Sequence, residues 1–236
     1  MSHVQDVVFD IQVWWTRPLR SADEHVGTLD SAERARFDTY RQDDDRLRFL
    51  TGRVLARFAV ARRLGTDPAE ITFDATCPDC GKPHGRPRVV GAEGVALSLS
   101  HSGDRVGVAV TGGVPVGLDV ESVARRATDD LIGYALNDTE RTAIATLNPD
   151  AFFTYWARKE ALMKATGRGL KIPLRSITVS APGEPARLVA ASDDAIDPAT
   201  TTLLDADPGD GYRAAVAVLT GDPVRLTERW MSNTTA

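Results

Sequence analysis

The stretch that most constrains this chain is residues 152–170, where apolar side chains recur at helical spacing until Gly167 and Gly169 interrupt the pattern. The spacing predicts one amphipathic helix that ends at a glycine. Side chains four residues apart share a helix face, and this face carries Phe152, Trp156, Glu160 and Lys164. An exposed Glu–Lys pair contributes only ~0.2–0.5 kcal/mol, so the pair indicates a site only together with other segments.

Residues 114–121 supply a second pair of charged groups. Valine and leucine alternate there with polar residues, which predicts a half-buried strand. Asp119 and Glu121 lie two residues apart and therefore leave the same face of that strand. Two neighbouring carboxylates repel each other, and a hard divalent cation such as Mg²⁺ would remove the repulsion. Strands that bind no metal also carry this pattern. The pair therefore indicates a metal site only together with other segments.

A histidine follows a predicted strand over residues 95–100. We expect a tight turn at residues 101–104 and a second strand over residues 106–110. Backbone N–H groups of such a turn, together with the imidazole of His101, can hold a phosphate. The alternative is a histidine that only caps the end of the strand.

Cationic side chains occur on the first long predicted helix and in a stiff loop. The helix covers residues 45–64 and ends at Gly65, and its Arg48 and Arg53 could approach a ligand. The loop at residues 77–87 contains three prolines and carries Lys82 and Arg86, which we interpret as a wall for a nucleotide.

The same loop begins with Cys77 and Cys80. With His84 these thiols provide three candidate ligands for zinc, whereas a closed structural zinc site needs four. A redox motif would be expected at the start of a helix and not in a proline-rich loop. We therefore favour a structural loop with two reduced thiols and keep zinc as the alternative.

Composition limits the classes of function. The net charge of −5 argues against a general nucleic-acid binder, which needs clustered cationic charge. No apolar run approaches the ~18 residues of a membrane span. The first ten residues lack the cationic and apolar regions of a secretory signal. We expect a cytoplasmic protein that binds neither membranes nor nucleic acid.

Gly112 and Gly113 look like a hinge between two halves, residues 1–113 and residues 114–236. Each half combines predicted strands with one long helix, which indicates two related α+β subdomains. No internal sequence repeat is visible.

Five segments together resemble the surfactin-type 4′-phosphopantetheinyl transferases. In chain order they are FLTGRVLAR (49–57), GKPHGRP (81–87), LSLSHSGDRVGVAV (97–110), VGLDVES (116–122) and WARKEALMKATGRGL (156–170). The resemblance implies an α+β fold of two similar subdomains related by a pseudo-twofold axis. It also implies coenzyme A in the cleft between them, a second subdomain that carries the metal site, and a monomer.

The resemblance also implies roles for individual residues. The Mg²⁺ ligands are expected to be Asp119, Glu121 and Glu160. The residues expected to contact coenzyme A are Arg48, Arg53, Arg86, Ser100, His101, Lys159 and Lys164. Another cation in the first short helix is either Arg34 or Arg36, and the register of that helix decides between them. The cysteine pair departs from the family's general pattern.

The implied reaction is the Mg²⁺-dependent transfer of the 4′-phosphopantetheine arm of coenzyme A to a serine of an apo acyl or peptidyl carrier protein. Lys164 and His101 would stabilise charge on the diphosphate. Glu160 or a metal-bound water would take the serine proton. A docking surface for the carrier is expected at Arg125, Arg126, Leu131, Ile132, Tyr134 and Leu136. The alternatives are a coenzyme A- or nucleotide-binding module without transfer activity and a zinc-stabilised interaction protein.

Overall fold

The computed structural model of the chain describes residues 8–83 and 85–231. The helices are α1 (Ser31–Thr39), α2 (Asp43–Leu64), α3 (Asp129–Ala135), α4 (Asp138–Ile144) and α5 (Ala151–Thr166). The strands are β1 (Phe9–Thr16), β2 (Phe73–Asp74), β3 (Arg88–Val89), β4 (Val95–Ser102), β5 (Arg105–Gly112), β6 (Val116–Ser122), β7 (Ile177–Val179), β8 (Leu188–Ala191), β9 (Thr202–Ala206), β10 (Tyr212–Val218) and β11 (Val224–Trp230). The predicted mixed α+β class is confirmed.

Two sheets form the centre of the fold. The first has the order β11-β1-β5-β4, in which β1 is parallel to β11 and antiparallel to β5. The second has the order β6-β10-β9 and is antiparallel throughout. Because β11 pairs with β1, the first sheet contains a strand from each end of the chain. The boundary between residues 113 and 114 and the pseudo-twofold axis stay predictions.

One long helix packs on each sheet, and both helices end as the sequence predicts. Helix α2 lies on β4 and β5, and α5 lies on β6 and β10. Three aspartates in the first turn of α2 favour its start through the helix dipole. Gly65 and Gly167 end α2 and α5 in the left-handed conformation, with φ of 72° and 68°. A side chain would be strained there, so glycine fixes both ends.

The hairpin between β4 and β5 is tighter than the sequence predicts. The predicted turn over residues 101–104 is wrong, because β4 continues through His101 and Ser102 and only Gly103 and Asp104 form the turn. The Asp104 N–H donates to the Tyr212 hydroxyl at 3.1 Å. His101 therefore lies within the paired part of β4 and not in the turn.

The two sheets meet edge to edge at β4 and β6, and serine side chains join them. Three serine hydroxyls of β4 accept hydrogen bonds from three N–H groups of β6. The pairs are Ser98 with Leu118 (3.0 Å), Ser100 with Val120 (3.2 Å) and Ser102 with Ser122 (3.0 Å). Edge strands expose backbone groups that need partners, and here side chains provide them. We call this junction the serine seam.

Lys159 lies inside the second half and not in a ligand cleft. Its side chain is fully buried, and its ammonium donates to the Glu140 carboxylate, to Ala135 O and to Leu174 O. Burial lowers the pKa of Lys159, and the Glu140 charge opposes that shift. The expectation that Lys159 contacts coenzyme A is therefore wrong. Lys159 instead links α5 by hydrogen bonds to the end of α3, to α4 and to the segment at Leu174.

No helix among residues 8–83 and 85–231 has both the length and the apolar character that crossing a membrane requires.

Lys159→Met should destabilise the protein by about 3–5 kcal/mol, because it leaves the buried Glu140 carboxylate without its cation. Adding Glu140→Gln removes the unpaired charge and should restore more than half of the loss. Urea unfolding of the two variants measures the difference. A double variant as unstable as the single one would contradict a buried ion pair as the cause.

Candidate active site

A cleft of about 900 Å³ lies between α2 and β4 on one side and α5 on the other. Its lining contains eight cationic side chains: Arg36, Arg48, Arg53, Arg86, Arg88, Lys164, Arg168 and Lys171. Among the described residues, two carboxylates line it, Asp79 and Glu160. The cleft is therefore cationic although the whole chain has a net charge of −5. A polyanionic ligand fits this imbalance of charge.

Three arginines form the wall that the first half contributes. Arg48 donates to Gly103 O at 3.3 Å and pairs with Asp45 at 2.7 Å. Arg53 lies 3.6 Å from the Glu33 carboxylate, and its guanidinium lies over the Phe49 ring. Arg36 on α1 lines the cleft. The contacts of Arg48 and Arg53 hold these two side chains in place at the surface of the cleft.

The open choice between Arg34 and Arg36 now has a structural basis. Arg34 pairs with Asp38 on the same helix at 3.6 Å and does not belong to the cleft lining, whereas Arg36 does. The register of α1 therefore favours Arg36 as the ligand contact.

Arg86 lines the cleft and also donates hydrogen bonds to three backbone carbonyls. Its guanidinium donates to Ala165 O (3.1 Å), Val116 O (2.9 Å) and Leu97 O (3.5 Å). These carbonyls belong to α5, β6 and β4, so Arg86 joins the two halves at one end of the serine seam. Burial lowers the pKa of this guanidinium. The contact with a nucleotide stays a prediction, and the bridge between the halves was not foreseen from the sequence.

His101 projects from the end of β4 into the cleft. The surrounding protein limits the contact of its ring with bulk water, which lowers the pKa of His101, and Arg48 and Lys164 lower it further. A neutral imidazole carries one N–H, so His101 can donate one hydrogen bond to a phosphate oxygen.

Asp119 lies under the cleft, with 4% of its surface exposed. Its Oδ1 accepts hydrogen bonds from Ser100 Oγ at 2.9 Å and from Lys164 Nζ at 2.7 Å. Its Oδ2 is buried and has no hydrogen-bond partner among the described residues. A buried carboxylate oxygen without a partner is costly, and a bound cation would remove that cost.

Glu121 and Glu160 complete the predicted ligand set. Glu121 accepts hydrogen bonds on Oε2 from Ser102 Oγ (3.2 Å) and from Arg125 Nη2 (2.5 Å). Desolvation raises the pKa of Glu121, and the charge of Asp119 raises it further. Desolvation and the same aspartate also raise the pKa of Glu160. The negative charges of the three carboxylates therefore repel one another.

A cation would fit these carboxylates, although they do not yet form a coordination sphere. No three histidine, cysteine, aspartate or glutamate side chains of the described chain converge closely enough to hold a metal. Lys164 and Arg125 instead neutralise Asp119 and Glu121. The unpartnered Oδ2 of Asp119 and the mutual repulsion of the three carboxylates are the observations that favour a cation. Oxygen donors of this kind suit Mg²⁺.

The cysteine loop also lines the cleft, through Cys77, Pro78 and Asp79. Cys77 is buried and Cys80 is exposed, and both are thiols. Asp79 between them pairs with Lys171 of the second half at 2.7 Å. His84, the third ligand of the zinc alternative, lies outside the described residues. The loop therefore connects the two halves across the cleft through an ion pair.

Several cleft residues were not expected from the sequence. They are Arg88, Arg168, Lys171 and Asp79 as lining residues, and Ser102 as a partner of Glu121. A signal existed for Arg168 and Lys171, because both follow α5 directly at the glycines that end it. The alternation of serines at 98, 100 and 102 was also visible, but its role depends on β6 lying alongside.

Two family models together match most of the chain. The model of the 4′-phosphopantetheinyl transferase superfamily matches residues 115–217. The model described as 4′-phosphopantetheinyl transferase, N-terminal, matches residues 14–112. The two matches meet close to Gly112 and Gly113.

Relatives that match along 71–86% of this chain carry the same description. A 4′-phosphopantetheinyl transferase from Bacillus subtilis is 29% identical and covers 71% of this chain and 74% of its own length. The 4′-phosphopantetheinyl transferase Sfp from Bacillus subtilis is 23% identical and covers 86% and 89%. The 4′-phosphopantetheinyl transferase HetI from Nostoc sp. is 34% identical over 217 residues, 86% of either chain. This chain therefore belongs to the 4′-phosphopantetheinyl transferase family.

Proposed function

We propose that this chain transfers the 4′-phosphopantetheine arm of coenzyme A to a serine hydroxyl of an apo carrier protein. The serine oxygen attacks the β-phosphorus, the bond from that phosphorus to the bridging oxygen breaks, and adenosine 3′,5′-bisphosphate leaves. The observation that carries the proposal is a cationic cleft lined by Glu160, a carboxylate that interacts with Asp119 and Glu121, in a chain of this family.

The cleft suits coenzyme A in size and charge. A volume of about 900 Å³ lies in the range of small-molecule sites. Coenzyme A carries a diphosphate and a 3′-phosphate, and eight cations line the cleft. Arg36, Arg48 and Arg53 would bind the phosphates through charge-assisted hydrogen bonds. Both halves of one chain complete the cleft, so the proposed enzyme acts as a monomer.

Lys164 and His101 are the fixed groups nearest the reacting diphosphate in this proposal. Lys164 is held by Asp119 and Ser100, and 30% of its side chain is exposed at the cleft wall. Its ammonium would donate to diphosphate oxygens, where negative charge accumulates as the bond breaks. His101 would donate one N–H to the same anion. Hydrogen bonds already hold the Lys164 ammonium, and strand pairing holds the backbone of His101.

Glu160 is the candidate for taking the serine proton. It lines the cleft one helical turn before Lys164, so a proton acceptor and a phosphate contact lie on the same face of α5. When bound by Asp119, Glu121 and Glu160, Mg²⁺ would neutralise charge on the diphosphate.

The second substrate, a carrier protein, would dock beside α3. Leu136 is fully buried and belongs to the core, and Arg125 is engaged with Glu121, so neither is a good docking probe. Arg126 and Tyr134 are exposed on the same segment. An acidic helical carrier would meet a cation and an aromatic ring there.

The first test is intact-protein mass spectrometry of an apo carrier protein incubated with coenzyme A, Mg²⁺ and this protein. The carrier should gain one phosphopantetheinyl group. Glu160→Gln should reduce the transfer rate by at least ~100-fold, because it removes the proton acceptor. Glu24→Gln, an exposed carboxylate outside the cleft lining, should leave the rate unchanged. Coenzyme A binding without any transfer to several carriers would leave only a binding module.

Arg36→Glu should weaken coenzyme A binding by about tenfold or more, a change of ~1.4 kcal/mol or more, because it places a negative charge in the cleft. Arg34→Glu makes the same charge change on the same helix outside the cleft lining and should have a far smaller effect. Isothermal titration calorimetry at one ionic strength compares the two. Equal losses would show a general electrostatic effect and not a contact.

Arg126→Glu should raise the KM for an acidic carrier protein about tenfold and leave coenzyme A affinity unchanged, because it replaces a favourable rim charge by a repulsive one. Arg141→Glu on α4 is the matched control for net charge. Steady-state transfer at saturating coenzyme A gives the KM of each variant. An unchanged KM for Arg126→Glu would remove Arg126 and the segment that precedes α3 from the docking surface.

A further inference from the structure

We propose that Ser102 is a positioning residue that orients the Glu121 carboxylate for Mg²⁺. This inference rests on the proposed function, because it assumes that Glu121 binds the metal.

The two hydrogen bonds of Ser102 determine the orientation of its hydroxyl group. Its oxygen accepts the Ser122 N–H at 3.0 Å, and it donates to Glu121 Oε2 at 3.2 Å. A serine hydroxyl has one proton, so that proton points to the carboxylate while a lone pair meets the N–H. The backbone of β6 thus fixes Ser102, and Ser102 fixes the side chain of Glu121.

The same arrangement occurs one step along the seam. Ser100 accepts the Val120 N–H and donates to Asp119 Oδ1, which also accepts from Lys164. In both carboxylates a seam serine and a cationic side chain bind the same oxygen. The other oxygen of Asp119, Oδ2, has no partner within the described part of the chain. We infer that Glu121 likewise presents Oε1 to the metal while Ser102 and Arg125 hold Oε2.

Ser98 belongs to the serine seam, but its hydroxyl has no carboxylate partner among the hydrogen bonds of the described residues. It accepts the Leu118 N–H at 3.0 Å, as the other two serines accept theirs. The residue that precedes Leu118 is Gly117, which offers no side chain, whereas Asp119 precedes Val120 and Glu121 precedes Ser122. Ser98 therefore joins the sheets and positions no ligand. Its alanine variant separates the structural role from the positioning role.

The test measures Mn²⁺ binding by electron paramagnetic resonance, which needs no turnover. Ser102→Ala should weaken Mn²⁺ binding about tenfold, the usual effect of removing a group that orients a metal ligand. Ser98→Ala loses the same kind of seam hydrogen bond and should keep the wild-type affinity. Ser102→Thr retains the hydroxyl and should restore most of the affinity. Thermal unfolding should show comparable destabilisation of the two alanine variants.

Three results would overturn the inference. Equal Mn²⁺ affinities of Ser102→Ala and Ser98→Ala would show that the hydroxyl of Ser102 only joins the sheets. Failure of Ser102→Thr to recover affinity would show that the hydroxyl is not the acting group. A wild-type protein that binds no Mn²⁺ would overturn the metal site of the proposed function as well, which distinguishes that failure from the first two.

Discussion

The structure depends on how two sheet edges are joined. Strands β4 and β6 each end a sheet, and an edge strand exposes N–H and C=O groups that must find partners. A direct backbone ladder would have fused the sheets into one. Three serine hydroxyls and the guanidinium of Arg86 take up the exposed groups instead. The cleft and its carboxylates lie at this junction, so the contact that holds the halves together also builds the site.

Three acidic side chains in and around the site are each paired with a cationic side chain. Lys164 of α5 reaches Asp119 of β6, and Arg125 reaches back to Glu121 four residues earlier. Asp79 and Lys171 pair across the mouth of the cleft. The exposed Asp79–Lys171 pair contributes little to stability. The cations beside Asp119 and Glu121 instead offset the repulsion between these two carboxylates.

The sequence predicted the elements better than the directions of their side chains. The long helices, their glycine ends, the carboxylate strand and the α+β class all follow from periodicity and glycine placement. Lys159 was misassigned because a motif fixes spacing and not which neighbour packs on each helix face, and α4 covers that face with Glu140. The bridging role of Arg86 and the contact between Ser102 and Glu121 were missed for the same reason. Their partners lie on strands that only the tertiary fold brings alongside.

The pairing of β11 with β1 has a consequence for how the protein is made. Strand β1 leaves the ribosome more than 200 residues before the strand that flanks it, since Phe9 pairs with Val224. Until then, one side of β1 presents unpaired backbone groups that can bind another chain. Contacts of such long sequence separation also form slowly, because a large loop must close first. We therefore expect nascent chains to depend on protection during synthesis, and the N-terminal half alone to be prone to aggregate.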